Sequence, residues 1–438
     1  MSELTETRPT PSSRRWSPRS RWAVPAAAVI VVVGAFVTPP LIASAGDEGL
    51  PDVTPEQLVA SVIAAEPSPL SGTIVYTARL GLPDLPFGEI GGADPIALLG
   101  GSSTMRVWSD GAESSRISLL GAMSEYSVVR DGAEAWTYSS ADDEVVHYAL
   151  SPADQARYDA LAAELEAGPS PEVAGDLPTP QEAAAAALEH ADETSIVSID
   201  GQTTVAGRGA YLLVVTPRST GTLIARIVVA VDAETSAPLR VQVWSTQDAA
   251  APALEVGFTD VAFTAPDPAV LEFSVPAGAT VRDVVVPLPA ESELPDEQDL
   301  AALEDMADLE DMADLKDTDA AAPEGVTVTG TGWETVVELS GLDMMSLIAG
   351  DPAALATVPG GEPSFGSESA QDLIAEFRGD EGDGSHSMDL DTVALYTELT
   401  TRVPEGTLLS SSLLSILVTD DGRVLIGAVP AETLRAMA

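Results

Sequence analysis

The chain has no cysteine in 438 residues. That absence excludes a disulfide framework, a thiolate metal site, a cysteine nucleophile and a lipid-modified cysteine, so stability has to come from packing. Lysine is almost missing too: Lys316 is the sole one, and it stands among aspartates (ADLKDTD). A phosphate-cradling loop needs a lysine behind its glycines, so no Walker-type loop exists here. The 3 histidines, His147, His190 and His386, are too scattered for a two- or three-histidine metal motif. No Gly-x-Ser-x-Gly occurs, which removes the usual setting of a serine nucleophile. These gaps point away from an enzyme, and no cofactor is implied.

Positive charge is scarce as well. With 20 Lys and Arg against 69 Asp and Glu, the formal net charge is −49. Such a chain repels phosphate backbones, so nucleic acid is not its partner. The acidity reads as solubility or salt tolerance in preference to cation binding. Aromatics make up only 5%, yet 45% of residues are hydrophobic and mean hydropathy is +0.15, enough for substantial cores. The length suggests two domains.

What the sequence does have begins with a leader. Arg14, Arg15, Arg19 and Arg21 precede an apolar run over residues 22–42, and Ala43-Ser44-Ala45 follows like a small-residue cleavage site. Residues 1–45 therefore read as a signal peptide or an N-terminal membrane anchor, which puts the rest of the chain outside the cytoplasm. Ser13-Arg14-Arg15-Trp16 is a weak twin-arginine signal.

Thr54 and Pro55 mark the start of a helix over 54–65. Strands follow at 71–80, 105–108, 115–119, 125–130, 135–139 and 144–150, with Asp110-Gly111 and Asp131-Gly132 as hairpin signals. Alanine-rich helices over 151–168 and 180–191 interrupt them, and strands resume at 195–205, 210–216, 223–231, 239–246 and 253–263. Apolar residues recur at every second place, while Arg226, Arg240, Gln242 and Glu255 occupy the alternate positions, so the sheet has a dry and a wet side. A sheet this large with one dry face must be covered by helices, closed on itself or filled by a ligand. Residues 287–324 form an acidic low-complexity linker containing LEDMAD twice over 303–314. Residues 325–438 read as a smaller α+β unit with strands over 326–339 and 407–429, helices around 343–356, 370–377 and 432–436, and an Asp420-Asp421-Gly422 hairpin. The acidic Asp380-Glu381-Gly382-Asp383-Gly384 lacks the ligand register of a calcium loop and reads as solvated. Trp108, Trp136, Tyr138, Tyr148 and Trp244 read as core or cavity wall in preference to a carbohydrate platform.

Residues 70–86 (LSGTIVYTARLGLPDLP), 105–111 (MRVWSDG) and 128–140 (VVRDGAEAWTYSS) resemble the actinobacterial branch of the LolA-like lipoprotein-carrier superfamily, which includes the sigma-E regulator RseB. Residues 210–218, 227–241 and 258–263 look like that family's later strands, and 407–430 like an extension found in this branch. The resemblance implies an α+β fold, in which a curved, incompletely closed antiparallel β-sheet, a half-barrel covered by helices, occupies 46–286. It also implies that the apolar face receives lipid acyl chains or a lipoprotein, without catalysis. The cavity candidates are Tyr76, Ile117, Leu119, Val128 and Trp136, continued by Tyr138, Leu213, Val229 and Val243. The second implied role is an RseB-like envelope-stress regulator whose C-terminal unit grips a membrane anti-sigma factor.

Overall fold

The computed structural model describes residues 49–82, 93, 98, 100–167, 180–286, 288, 325–341 and 392–438. The segment 1–45 expected as a signal peptide or anchor, the acidic repeat, the helices expected around 343–356 and 370–377, the loop at 380–384 and His386 lie outside the described residues.

Helix α1 (Pro55–Ala64) starts at a capping box: the Thr54 hydroxyl accepts from the Gln57 N–H at 3.2 Å, and Gln57 Oε1 accepts from the Thr54 N–H at 3.0 Å. Strands β1 (Leu70–Ala78), β2 (Gly101–Ser109), β3 (Ser114–Leu120), β4 (Glu125–Asp131), β5 (Glu134–Ser139) and β6 (Glu144–Leu150) follow as a meander. Helices α2 (Pro152–Ala167) and α3 (Pro180–Thr194) lead into β7 (Ser195–Val205), β8 (Arg208–Pro217), β9 (Ile224–Asp232), β10 (Pro238–Ser245) and β11 (Leu254–Ala262). A single turn, α4 (Pro268–Leu271), precedes β12 (Thr280–Val286). These twelve strands form one sheet in the order β12-β6-β5-β4-β3-β2-β1-β11-β10-β9-β8-β7.

The fold is α+β, and the sheet is curved without closing into a barrel: β7 comes close to β11 although three strands lie between them, while β12 and β7 remain edges. Every pairing is antiparallel except that of β12 with β6. Strand β12 carries no strand signal in the sequence, since Arg282 and Asp283 break its alternation and its partner is 130-odd positions away, as in the pairs Thr280 with Glu144 and Val286 with Leu150. Helix α3 packs on α1 and β7, and α2 touches β6.

A second sheet, in the order β13-β14-β18-β17-β16-β15, comprises β13 (Val326–Thr329), β14 (Val336–Leu339), β15 (Thr401–Val403), β16 (Gly406–Ser410), β17 (Ser415–Thr419) and β18 (Val424–Gly427). Residues 326–339, expected as one stretch, are a hairpin split by a 3-10 turn at Gly332–Glu334. Helix α5 (Thr392–Leu399) precedes β15, and α6 (Ala431–Met437) buries Leu434 against Leu417, Leu425, Val429 and Val336.

Two charge pairs fasten the turns. Asp232, its side chain fully buried, receives both prongs of Arg208 at 2.8 and 2.7 Å and the Thr235 hydroxyl at 2.6 Å, which locks the β9–β10 turn. The fork geometry requires arginine, and the chain has almost no lysine to offer. Arg435 on α6 donates to both oxygens of Glu405 at 2.9 and 3.2 Å, and this hydrogen bonding holds the Glu405 carboxyl below the ordinary glutamate value.

Curvature is taken up at irregular pairings, one of them between Thr73 and Ile74 on β1. There the Phe258 ring lies across Gly72, where a Cβ would come within 2.6 Å of the Asp260 carbonyl oxygen and 2.9 Å of the ring. Gly72→Ala is therefore expected to cost about 1–3 kcal/mol by overpacking, read as a lower midpoint in urea unfolding. A second expectation concerns pH. Because the Glu405 value is depressed in the folded state, the stability from its pair with Arg435 is complete above the ordinary glutamate value and is lost as pH falls through the folded one. The protection of the α6 amides, taken relative to their intrinsic exchange rate at each pH, should fall in acid, and Glu405→Gln should remove that acid-dependent loss of protection.

Candidate functional site

Residues directly opposite each other on neighbouring strands share a face, so the register assigns each candidate side chain to one side of the sheet. Val229 faces Leu213 and Val241, Val241 faces Val256, and Val256 faces Tyr76. From β1 the same face continues through Ile74 to Met105 and Leu119, and through Val107 to Ile117 and Val128. Val243, opposite Ile227, belongs to it too. Seven of the nine cavity candidates thus share one apolar face.

Trp136 and Tyr138 do not. Val128 is opposite Thr137, which places Thr137 on the apolar face and its two neighbours on the other. This corrects their assignment to the cavity: two apart on a strand, they do share a face, but its parity could be set only by the pairing of β4 with β5. On that opposite face Trp136 is stacked between His147, with ring centroids 5.1 Å apart, and Phe273, at 5.6 Å. A strap running through α4 covers them; Arg116 reaches the Val270 carbonyl at 3.4 Å, and Leu271 is buried. Trp244 is on the opposite face as well, beneath the Arg226 guanidinium at 4.5 Å.

The apolar face is itself divided. Over β8, β9 and β10, Leu58 of α1 and Trp333 of the C-terminal unit pack with Tyr211, Ile224, Ile227, Val229, Val231 and Val241, and Leu213 and Val243 pack against this cluster. Trp333 Nε1 donates to the Ser195 hydroxyl at 2.8 Å, and the adjacent Glu334 carboxylate accepts from the Gly221 N–H at 2.7 Å. The Ala428 carbonyl accepts from the Leu223 N–H at 2.7 Å and from the Thr222 hydroxyl at 2.8 Å, so the two sheets are joined by backbone as well as side chains. This half of the face is a filled core. The C-terminal unit, expected from the sequence as a separate body, thus contributes to this core; its one sequence signal is an isolated tryptophan directly after the turn glycines Gly330 and Gly332.

The other half is open only at its far end, since Ile74, Val107 and Phe258 are buried in a second apolar cluster with Leu70 and Leu239. Leu119 is 6% exposed, but Ile117 is 46% and Val128 38% exposed, side by side on β3 and β4. Tyr76 is half-buried at the boundary between the halves, where desolvation raises its phenol above the ordinary value. A separate cleft of about 470 Å³ lies where the turns of β3–β5 meet α2, lined by Glu113, Asp131, Glu134, Gln155, Tyr158 and Asp159. It is acidic and contains none of the nine candidates.

Among the described residues no three His, Asp or Glu side chains gather as a metal site. Among them, too, no helix is long and apolar enough to cross a membrane, while residues 1–48 lie outside them.

No family model matches the chain, and no curated protein matches it. Solved structures do. The MucA/MucB complex of Pseudomonas aeruginosa aligns with TM-score 0.35 and 15% identity, over 87% of this chain and 94% of that one. An uncharacterized conserved protein from Thermus thermophilus gives 0.27 and 15%, over 49% and 90%. A LolA superfamily protein from Nitrosomonas europaea gives 0.19 and 10%, over 51% and 99%. Superpositions this loose carry no argument about activity.

The junction through Trp333 has a measurable weight. Trp333→Ala should destabilise the chain by about 3–5 kcal/mol in urea unfolding, through the cavity it leaves. Trp333→Phe should cost less but still about 1–3 kcal/mol, because the Ser195 hydroxyl loses its buried donor.

Proposed function

We propose that this is a non-enzymatic, extracytoplasmic binding protein that holds an acyl chain of a lipid or lipoprotein against the open half of the apolar face. The observation that carries this reading is the exposure of Ile117 and Val128 beside the buried Leu119, on the same face as Tyr76. Exposed branched side chains next to one another on a sheet are a place where hydrocarbon gains from leaving water, at about 25 cal/mol per Å² of apolar surface buried. The leader and the LolA-like strand motifs support the same reading. Leu213, Val229 and Val243 would not line this site, since Leu58 and Trp333 already pack on that part of the face.

No proton transfer or bond cleavage is required of the protein. Its task is to present a dry surface of fixed shape, with Tyr76 supplying a hydroxyl at the inner boundary, where an acyl carbonyl can accept from it.

The filled half favours a second reading. Because Trp333 and Glu334 fasten the C-terminal unit to the main sheet, the two together present one continuous surface to a membrane protein's external segment, as an envelope-stress regulator would.

The acyl reading is tested by a fluorescent fatty-acyl probe and by native mass spectrometry of the chain purified from its own host. Ile117→Arg and Val128→Arg should each abolish probe binding while shifting stability by only about 0.5 kcal/mol, because both sites are partly solvated. If the parent chain takes up no probe and carries no lipid, the acyl reading fails and the regulator reading becomes the better account.

A further inference from the structure

Strand β12 closes one end of the twelve-stranded sheet, and among the described residues nothing pairs with its outer side. Its inner side is firmly held. Val284 is 2% exposed, Arg282 Nε lies 3.4 Å from Glu144 Oε1, and the Asp283 carboxylate meets His147 Nδ1 at 2.9 Å. The strand is thus a fixed ladder whose outward N–H and C=O groups form a template for another extended chain. On the face it shares with His147, β12 shows Val281, 45% exposed, and Val285, 53% exposed, with Asp283 between them at 77% side-chain exposure.

We infer that this edge is a docking surface for an extended segment of a partner protein in which a basic residue is flanked, two positions to either side, by apolar residues. A strand added to an edge places alternate side chains on one face, directly opposite their counterparts. Opposite Val281 and Val285 an apolar residue removes exposed apolar surface from water. Opposite Asp283, whose second carboxylate oxygen has no hydrogen bond to His147, a cation is favoured.

Charge selects among the occupants. A second copy of this chain, paired antiparallel so that faces match, would set Val281 against Val285 but Asp283 against Asp283, with net charge −49 on each copy. The chain's own repeat at 303–314 (LEDMADLEDMAD) would set carboxylates against Asp283. Both arrangements put like charges directly opposite, which destabilises a cross-strand pair.

The test uses the full chain and labelled heptapeptides followed by fluorescence anisotropy. The probe is Thr-Val-Thr-Arg-Thr-Val-Thr; one control moves the arginine one place toward the N-terminus, and another replaces it with glutamate. The probe should bind about five-fold tighter than the shifted control of equal charge, the effect of roughly 1 kcal/mol from a mismatched cross-strand position. Val285→Glu should weaken the probe, and Asp283→Lys should reverse the preference between the arginine and glutamate peptides. Both substitutions are at exposed positions, and circular dichroism and thermal melts will show whether the fold survives them. Equal binding of probe and shifted control would reduce the attraction to bulk acidity and overturn the inference. A dimer in sedimentation equilibrium that Val285→Glu dissolves would overturn it in favour of a second copy.

Discussion

Cross-strand register is the constraint on which this structure depends. In a sheet the side-chain period is two, so a single pairing decides which half of a strand's residues meets the interior. The pairs Val229–Val241–Val256–Tyr76 propagate that decision from β9 to β1, and Met105–Leu119 carries it on to β3. On the other face one row runs Trp108, Arg116, Val129, Trp136, His147, Asp283 across six strands. The irregular pairings near Ile74, between Ile199 and Gln202, and between Pro238 and Arg240 admit extra residues and let the sheet bend.

Different segments cover different parts of the two faces. The strap with α4, Leu271 and Phe273 lies on the Trp136 side, whereas α1 and Trp333 cover the apolar face over β8–β10. Because the second sheet contributes Trp333, Glu334 and the Ala428 carbonyl, the larger sheet's core is completed from more than a hundred residues further along the chain. Neither cover reaches Ile117 and Val128, which stay exposed on the apolar face.

The scarcity of positive charge shapes the rest. The arginines are placed where one cation does the most. Arg208 satisfies a fully buried carboxylate, Arg423 reaches both Asp421 and Glu338, Arg218 pairs with Asp192, and Arg226 stacks on Trp244. Among the described residues Asp232 is the one buried carboxylate, and for carboxylates at the surface mutual repulsion is screened by salt. At an edge strand such as β12 the same surplus works against pairing with another copy.

The sequence by itself determined most of the local structure. Strands β6 and β7 begin and end where alternation placed them, Thr54 caps α1 as its chemistry requires, and the dry face of β8–β11 follows from residues two apart. These features are local: capping needs three residues, and amphipathic alternation needs one strand. Tertiary structure alone decided that Trp136 and Tyr138 turn away from Val128, that β12 joins β6 in parallel, and that Trp333 fills the face expected to hold a ligand. Each of these depends on a pairing between segments distant in sequence, and a period of two identifies the two faces of a strand without saying which faces inward. Only the partner strand, the bulges between them and the element packed on top break that symmetry.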